Sequence, residues 1–158
     1  MVFKNENELK GFILAKCQMA VAEAEQKVYE VIDTCLEKFY GEFTPAEYIR
    51  TSQLLHSLVK TDVVRIGDSI TAEVYFDVGA LAYEQGFIPV QHTPEHGMYG
   101  LATWTGQKVL DVAMTDGLPH GRYASGTAIW TDSMSKLGNI LKILEQALIA
   151  QGIPIKKG

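Results

Sequence analysis

The feature that most constrains the fold is an amphipathic pattern that covers the first quarter of the chain. Between Glu6 and Tyr40, apolar residues recur at intervals of three and four, as they do on one face of an α-helix. Roughly 35 residues would span about 50 Å, which exceeds the diameter of a domain of this size. We therefore expect the helix to break near Gly11, to bury one end against a neighbouring subunit through its alanines at 20, 22 and 24, or to pack along its own sheet.

A short helix and a β-hairpin are predicted next. Thr44-Pro45-Ala46-Glu47 has the spacing of a capping box with proline at the first helical position, and the helix is expected to reach Leu58. Apolar and polar residues alternate from Ile70 to Asp77, which indicates a half-buried strand. Its partner is expected at about 62–66, because glycine first in the two-residue loop Gly67-Asp68 suits a type II′ turn.

The segment from Gly79 to Gly106 fits neither periodicity, since its prolines and glycines are interleaved with aromatic residues. Loops of more than about 15 residues are uncommon inside compact domains and are usually functional or disordered. We interpret the segment as an arm that docks on another surface, because aromatic anchors dominate interface energetics. The candidate contact residues are Phe87, Tyr99 and Trp104; the alternative is a loop folded back on its own domain.

Helical and strand-like patterns alternate in the last third of the chain. A short helix is predicted for Thr105 to Ala113 and a strand for Ala128-Ile129-Trp130. Leucines repeating up to Leu148 predict a final helix that ends before Gly152 and Pro154. Its expected cap is Thr131 or Asp132, and Ile153 with Ile155 could form an edge strand.

These elements predict one α+β domain over residues 1–158. Its small, mostly antiparallel sheet would carry the long N-terminal helix and the C-terminal helix on one face, with the arm at about 79–106 extended from it. The polar N-terminus and the absence of about 18 uninterrupted apolar residues predict a protein made in the cytosol, without a membrane span. Cys17 and Cys35 are accordingly expected to be reduced, buried thiols.

One string suggests catalysis. His92-Thr93-Pro94-Glu95-His96 matches the H-x-x-E-H pattern of inverted zinc peptidases, in which both histidines lie on one face of a regular helix. Pro94 disfavours the helical conformation at Thr93, and Gly97 follows at once. We therefore predict polar loop histidines, with no catalytic, metal or cofactor site, and keep a small zinc-dependent hydrolase as the alternative.

Several strings resemble a known family. Tyr48-Ile49-Arg50-Thr51-Ser52-Gln53-Leu54-Leu55-His56-Ser57, followed by the strand that ends at Asp77, is similar to the Tyr-x-Arg-Thr-x-x-Leu-x-x-Ser signature of phage neck or tail-completion proteins. Trp130-Thr131-Asp132, the helix to Ala150 and the closing Gly152-Ile153-Pro154-Ile155-Lys156 resemble the C-terminal part of the same family. The residues that carry the resemblance are Tyr48, Arg50, Thr51, Leu54, Ser57, Asp77 and Trp130.

The resemblance implies a virion component of the head-to-tail junction. Such a protein forms a ring, sixfold or twelvefold, between the head-closure or connector protein and the tail-terminator or tail-tube protein, and DNA passes through without specific binding. It is synthesised in the bacterial cytoplasm and needs no active site. The net charge of −5 fits this role, because proteins that grip phosphates concentrate lysine and arginine. The arm departs from the shorter members of the family, and a protein-binding module outside phages is the remaining alternative.

Overall fold

A computed structural model of the chain describes residues 2–41, 53–81, 106–107, 110 and 129–155. The predicted α+β class is confirmed, with a long N-terminal helix, two small antiparallel sheets and C-terminal helices. The chain divides into two compact units. Unit 1 comprises Met1–Val31, Val59–Tyr75 and Lys136–Gly158, and unit 2 comprises Ile32–Leu58 and Phe76–Ser135.

The elements follow one another in a simple order. They are helix α1 (Glu6–Gly41), helix α2 (Gln53–His56), strands β1 (Leu58–Lys60), β2 (Val64–Ile66), β3 (Ser69–Thr71) and β4 (Val74–Phe76), a 3₁₀ turn (Val78–Leu81), and helices α3 (Ile129–Leu137) and α4 (Ile140–Ala150).

The long N-terminal helix is confirmed as a single element of 36 residues, about 54 Å at 1.5 Å per residue. A break near Gly11, one of the three alternatives, is absent from this helix, since one exposed glycine costs only about 1 kcal/mol. Its start is capped: Asn5 Oδ1 accepts a hydrogen bond from the Glu8 N–H at 2.9 Å, and Glu8 Oε2 accepts one from the Lys4 N–H at 2.7 Å. This exchange resembles a capping box.

The predicted hairpin is confirmed at its tip. Strands β2 and β3 are antiparallel, with Val64 opposite Thr71 and Ile66 opposite Ser69. Gly67 has a φ of 63°, in the left-handed region that the mirror-image hairpin turns require at this position.

The strand predicted for residues 70–77 is wrong in one respect, because it is divided into β3 and β4. Strand β4 pairs with β1, and the pairing is flanked by hydrogen bonds from Asp77 N–H to Ser57 O at 2.7 Å and from Thr61 N–H to Glu73 O at 2.9 Å. Thr61 is therefore opposite Glu73 while Val64 is opposite Thr71, so that two residues, 62 and 63, face Ala72 alone. This is the two-against-one count of a β-bulge.

The predicted alternation along this strand is nevertheless confirmed by burial. Residues 70, 72, 74 and 76 are half-buried, and residues 71, 73, 75 and 77 are exposed. The helix predicted to reach Leu58 is shorter than expected: α2 ends at His56, and Leu58 begins β1. Pairing with β4 takes Leu58 out of the helix, while Thr44–Glu47 lies outside the described residues.

Two predictions for the C-terminal part are wrong. Ile129 and Trp130 lie in α3 rather than in a strand, since an apolar run of three residues does not distinguish a strand from a buried helical turn. The single final helix is instead two helices, separated by Gly138 with a φ of 62°. The cap of α4 is Asn139, and neither Thr131 nor Asp132 serves, because both lie inside α3.

Helix α4 ends before Gly152, as predicted. Gly152 has a φ of 81°, its N–H donates to Ile149 O at 2.9 Å, and the Ile153 N–H donates to Leu148 O at 2.9 Å. This pair of bonds is the Schellman motif. Residues 153–155 follow without strand geometry, so the predicted edge strand is wrong.

Candidate assembly surfaces

Alanines join α1 and α4 in unit 1. Ala20 and Ala24 of α1 form a buried cluster with Ala147 of α4, and Ile143, Leu144 and Leu148 pack against it. Small side chains let the two helices approach closely, and the neighbouring aliphatic side chains supply apolar burial. The small-residue stretch predicted to receive a neighbouring subunit is thus occupied, in part, by the chain's own C-terminal helix.

A groove lies beside this cluster. Its volume is about 550 Å³, within the range of ligand-sized clefts. Its apolar lining residues are Ala24, Ile143, Ala147 and Ala150, of which Ala24 and Ala147 are buried. Its polar lining comes from α1 and α4: Glu23, Gln26, Lys27, Glu30 and Gln146.

The hairpin lies alongside α1 in unit 1. Lys60 Nζ donates to Gln26 Oε1 at 2.5 Å, and Lys10 Nζ contacts Asp68 Oδ2 at 2.7 Å. On the helix, Lys10 and Gln26 are 16 residues apart, or about 24 Å. On the hairpin, Lys60 and Asp68 are 8 residues apart, or about 26 Å if the strand is extended. Because these lengths match, the hairpin lies along α1 with its base beside Gln26, near the groove, and its tip beside Lys10, near the start of the helix.

The tip of the hairpin exposes apolar side chains. Ile66 is 75% exposed and Val64 is 48% exposed. In a strand of uninterrupted alternation, both residues would share a face with the buried Leu58. The bulge at 62–63 places them opposite Ser69 and Thr71, on the exposed face instead. Arg65 Nε donates to Gly67 O at 3.0 Å, which holds its guanidinium over the turn.

Three residues of the family-like signature meet in unit 2. The buried Ser57 donates its hydroxyl to Leu54 O at 2.8 Å, and Leu54 is itself buried. The Asp77 N–H donates to Ser57 O, and Asp77 Oδ1 accepts from the Gly79 N–H at 2.9 Å. Leu54, Ser57 and Asp77 therefore join α2, the β1–β4 pair and the 3₁₀ turn, which is a structural role.

Trp130, a further residue of the family-like signature, has an exposed side chain. Its side chain is 53% exposed on α3, whereas its neighbour Ile129 is 1% exposed. The same helix is linked to α1 within unit 2 by Lys38 and Asp132, whose charged atoms are 3.7 Å apart. Trp130 is thus a candidate contact residue rather than a core residue.

The remaining predicted site residues lie outside the described part of the chain. These are Tyr48, Arg50, Thr51, Phe87, Tyr99, Trp104, His92, Glu95 and His96. Of the predicted arm, the 3₁₀ turn contains Gly79–Leu81, and Gly106 is helical, as are Gln107 and Leu110 beyond the arm.

Gly106 lies in close contact with the 3₁₀ turn. A Cβ at this position would collide with the Val78 carbonyl oxygen and would lie 3.1 Å from Leu81 Cβ. Glycine lets the helical stretch approach the 3₁₀ turn closely, because it carries no side chain.

One acidic side chain is buried in unit 1. Glu25 of α1 is 8% exposed, and its Oε1 has no hydrogen-bond partner among the described residues. A buried carboxylate oxygen without a partner lowers stability.

The described residues contain neither a group of metal ligands nor a helix that could span a membrane. Within the described ranges, no three His, Cys, Asp or Glu side chains are grouped so that they could hold a metal ion. None of the helices seen there is long and apolar enough to cross a membrane. Cys17 and Cys35 are free thiols, half-buried and buried respectively.

Two features were not predicted from the sequence, namely the exposed apolar side chains at the hairpin tip and the close contact at Gly106. A signal for the tip existed in Ile66 directly before Gly67-Asp68, since an apolar residue beside an exposed turn has no buried face to join. Gly106 had no such signal, because its role depends on a contact with residues 25 or more positions earlier. The chain matches no protein-family model, no curated protein and no solved structure.

Proposed function

We propose that this chain is a structural protein of a tailed-phage virion that acts at the junction between head and tail. It would assemble as a ring, sixfold or twelvefold, and dock between the connector or head-closure ring and the tail-terminator or tail-tube proteins. It would act without catalysis, cofactor or metal, and DNA would pass through the ring without specific binding.

The observation that carries this proposal is that residues of the family-like signature meet at one structural junction. Leu54, Ser57 and Asp77 are bonded to one another or to each other's neighbours at one junction of backbone elements. A string of residues that specifies a junction is expected in a family related by fold rather than by chemistry. This agrees with the resemblance to neck and tail-completion proteins, which also rests on residues that specify the fold.

Exposed apolar side chains give further support. On α1, Leu9, Phe12, Ile13 and Met19 are between 37% and 52% exposed, and Leu141 of α4 is 74% exposed. Single exposed apolar residues are ordinary, but a series along one long helix provides material for protein contacts. A protein that functions as part of a ring would bury such positions against its neighbours.

The test is deletion of the gene from a bacterial strain that carries it, followed by electron microscopy of the particles released. We expect filled heads and complete tails that are not joined, with joining restored when the gene is supplied from a plasmid. Normally joined, infectious particles from the deletion strain would refute the proposal. Mass spectrometry of wild-type particles provides a second check, because a virion component must be present in them.

A further inference from the structure

We propose that the β2–β3 hairpin is a strap that lifts off helix α1 while the rest of unit 1 stays folded, and that the ion pair between Lys10 and Asp68 is its latch. The strap is defined as residues 60–73, which run from the contact at Lys60 through the turn and back past the bulge. The inference does not depend on the proposed function, because it concerns a change of conformation within one chain.

The strap lies over one row of side chains on α1. Its two contacts with the helix are at Lys10 and Gln26. The positions between them, at intervals of four residues, are Leu14, Gln18 and Ala22. Residues four apart lie one above the other on a helix, so this row follows the path of the hairpin. Leu14 is buried, and the next three members of the row are half-buried.

The strap has no core of its own. None of the residues 60–73 is fully buried, and only those at positions 61, 63, 70 and 72 are half-buried. At the tip, Val64 and Ile66 are 48% and 75% exposed. A two-stranded hairpin alone is marginally stable in water, and segments with few buried contacts open at a low free energy. The strap therefore depends on α1 to stay closed.

The two contacts that hold the strap to α1 are weak. Lys10 Nζ lies 2.7 Å from Asp68 Oδ2, but these side chains are 54% and 67% exposed. The second contact, from Lys60 Nζ to Gln26 Oε1, also joins polar side chains at the surface. Exposed ion pairs contribute little to stability, and salt screens them. High salt is therefore expected to favour the open strap.

The closed strap also carries an energetic cost. Glu25 lies on the face of the covered row, because it follows Gln18 by seven residues, which is two helical turns. It is 8% exposed, and its Oε1 has no hydrogen-bond partner among the described residues. Burial of a carboxylate oxygen without a partner is unfavourable. Lifting the strap lets water reach this side chain and removes part of that cost.

The strap also sets how much apolar surface α1 presents near its start. Phe12 and Ile13 are 37% and 40% exposed, whereas Leu14 is 9% exposed. Lifting the strap uncovers Leu14 beside these two side chains. The closed form thus hides part of an apolar surface that the open form makes available.

The experiment measures opening by the reactivity of a cysteine placed beneath the strap. In the full-length chain, Cys17 and Cys35 are replaced by alanine, and Leu14→Cys supplies the thiol, which is labelled with the neutral reagent N-ethylmaleimide. Asp68→Asn breaks the latch and is expected to speed labelling by about two- to fivefold, the factor that corresponds to about 0.4 to 1 kcal/mol. Raising the salt concentration from about 0.02 M to about 1 M should act similarly, but only while the latch is intact.

The matched control is a cysteine buried elsewhere on the same helix. Ala20 is 0% exposed in the alanine cluster that α1 forms with α4, away from the strap. Labelling of Ala20→Cys in the same background is expected to be unchanged by Asp68→Asn. Circular dichroism checks that each variant remains folded.

Hydrogen exchange of the chain with its native cysteines provides a second measurement, which decides the matter if a cysteine variant does not fold. The amides of β2 and β3 are expected to exchange about two- to fivefold faster in Lys10→Gln, and those of α4 at the wild-type rate. Lys142→Gln is the matched control, since it removes the same charge from an exposed position on α4. It is expected to leave exchange in the strap unchanged.

Three outcomes would overturn the inference. The first is labelling of Leu14→Cys that Asp68→Asn does not change. The second is equal acceleration at Ala20→Cys, which would mean that the whole of unit 1 unfolds. The third is exchange in β2 and β3 that is no faster in Lys10→Gln than in Lys142→Gln. None of these results bears on a role at the head-to-tail junction, which the gene deletion decides independently.

Discussion

At the start of α4, a single side-chain oxygen sets the first turn. Asn139 Oδ1 accepts from the Leu141 N–H at 2.9 Å, which satisfies one of the amide groups left free at a helix start. Replacing Asn139 with alanine is expected to lower the free energy of unfolding by about 0.5 to 2 kcal/mol, whereas serine should retain most of it. Urea denaturation of the two variants measures the difference, and equal stability would contradict the assigned cap.

Gly106 is expected to tolerate no side chain. Gly106→Ala places a Cβ against the Val78 carbonyl oxygen, so the backbone must shift, at a cost of about 1 to 3 kcal/mol. Gly11→Ala is the control, because a Cβ there meets nothing within 4 Å and alanine favours the helix by about 1 kcal/mol. Thermal unfolding should therefore shift in opposite directions for the two variants, and a shift in the same direction would show that the contact at Gly106 is not tight.

The buried Oε1 of Glu25, which has no hydrogen-bond partner among the described residues, is expected to cost stability. Glu25→Gln keeps the shape and removes the charge, so we expect the free energy of unfolding to rise by about 1 kcal/mol. Glu23→Gln, on an exposed position of the same helix, should change it by less than about 0.5 kcal/mol. A loss of stability in Glu25→Gln would mean that the carboxylate has a charged partner.

At the scale of the element, the contact between α1 and α4 depends on small side chains. Ala20 is fully buried in the alanine cluster, and Ala20→Leu is expected to separate the helices and to cost about 1 to 3 kcal/mol. Ala15→Leu on the same helix is the control, since Ala15 is exposed. Chemical denaturation of both variants tests this, and an Ala20→Leu chain as stable as the control would place the helices further apart.

Elements with a long or strict period were predictable from the sequence. The repeat from Glu6 to Tyr40 gave α1 to within one residue, and the alternation at 70–77 gave the correct faces. Breaks within elements were not predictable, because the bulge at 62–63 depends on how two strands are paired, and the break at Gly138 interrupts a repeat of leucines that reads as continuous. The groove was not predictable either, because its walls come from residues more than 100 positions apart and form only when α1 and α4 pack together.

At the scale of the whole molecule, charge decides how the chain meets nucleic acid. With a net charge of −5, the free protein is expected to bind duplex DNA weakly, because tight binding requires many lysine or arginine contacts to phosphates. Filter binding at low and at moderate salt measures this. Tight binding that falls steeply with salt would refute the prediction and would require a cluster of basic side chains.

The bulge at residues 62 and 63 has a consequence for how the gene can vary. Loss of one of these two codons would leave each remaining residue of β1 and β2 opposite its present neighbour, with Thr61 facing Glu73 and Val64 facing Thr71. An in-frame deletion at that point is therefore compatible with the hairpin, whereas a deletion one or two codons nearer the turn would give the residues between it and the bulge new partners. A homologous chain one residue shorter in this region is expected to carry its alignment gap there.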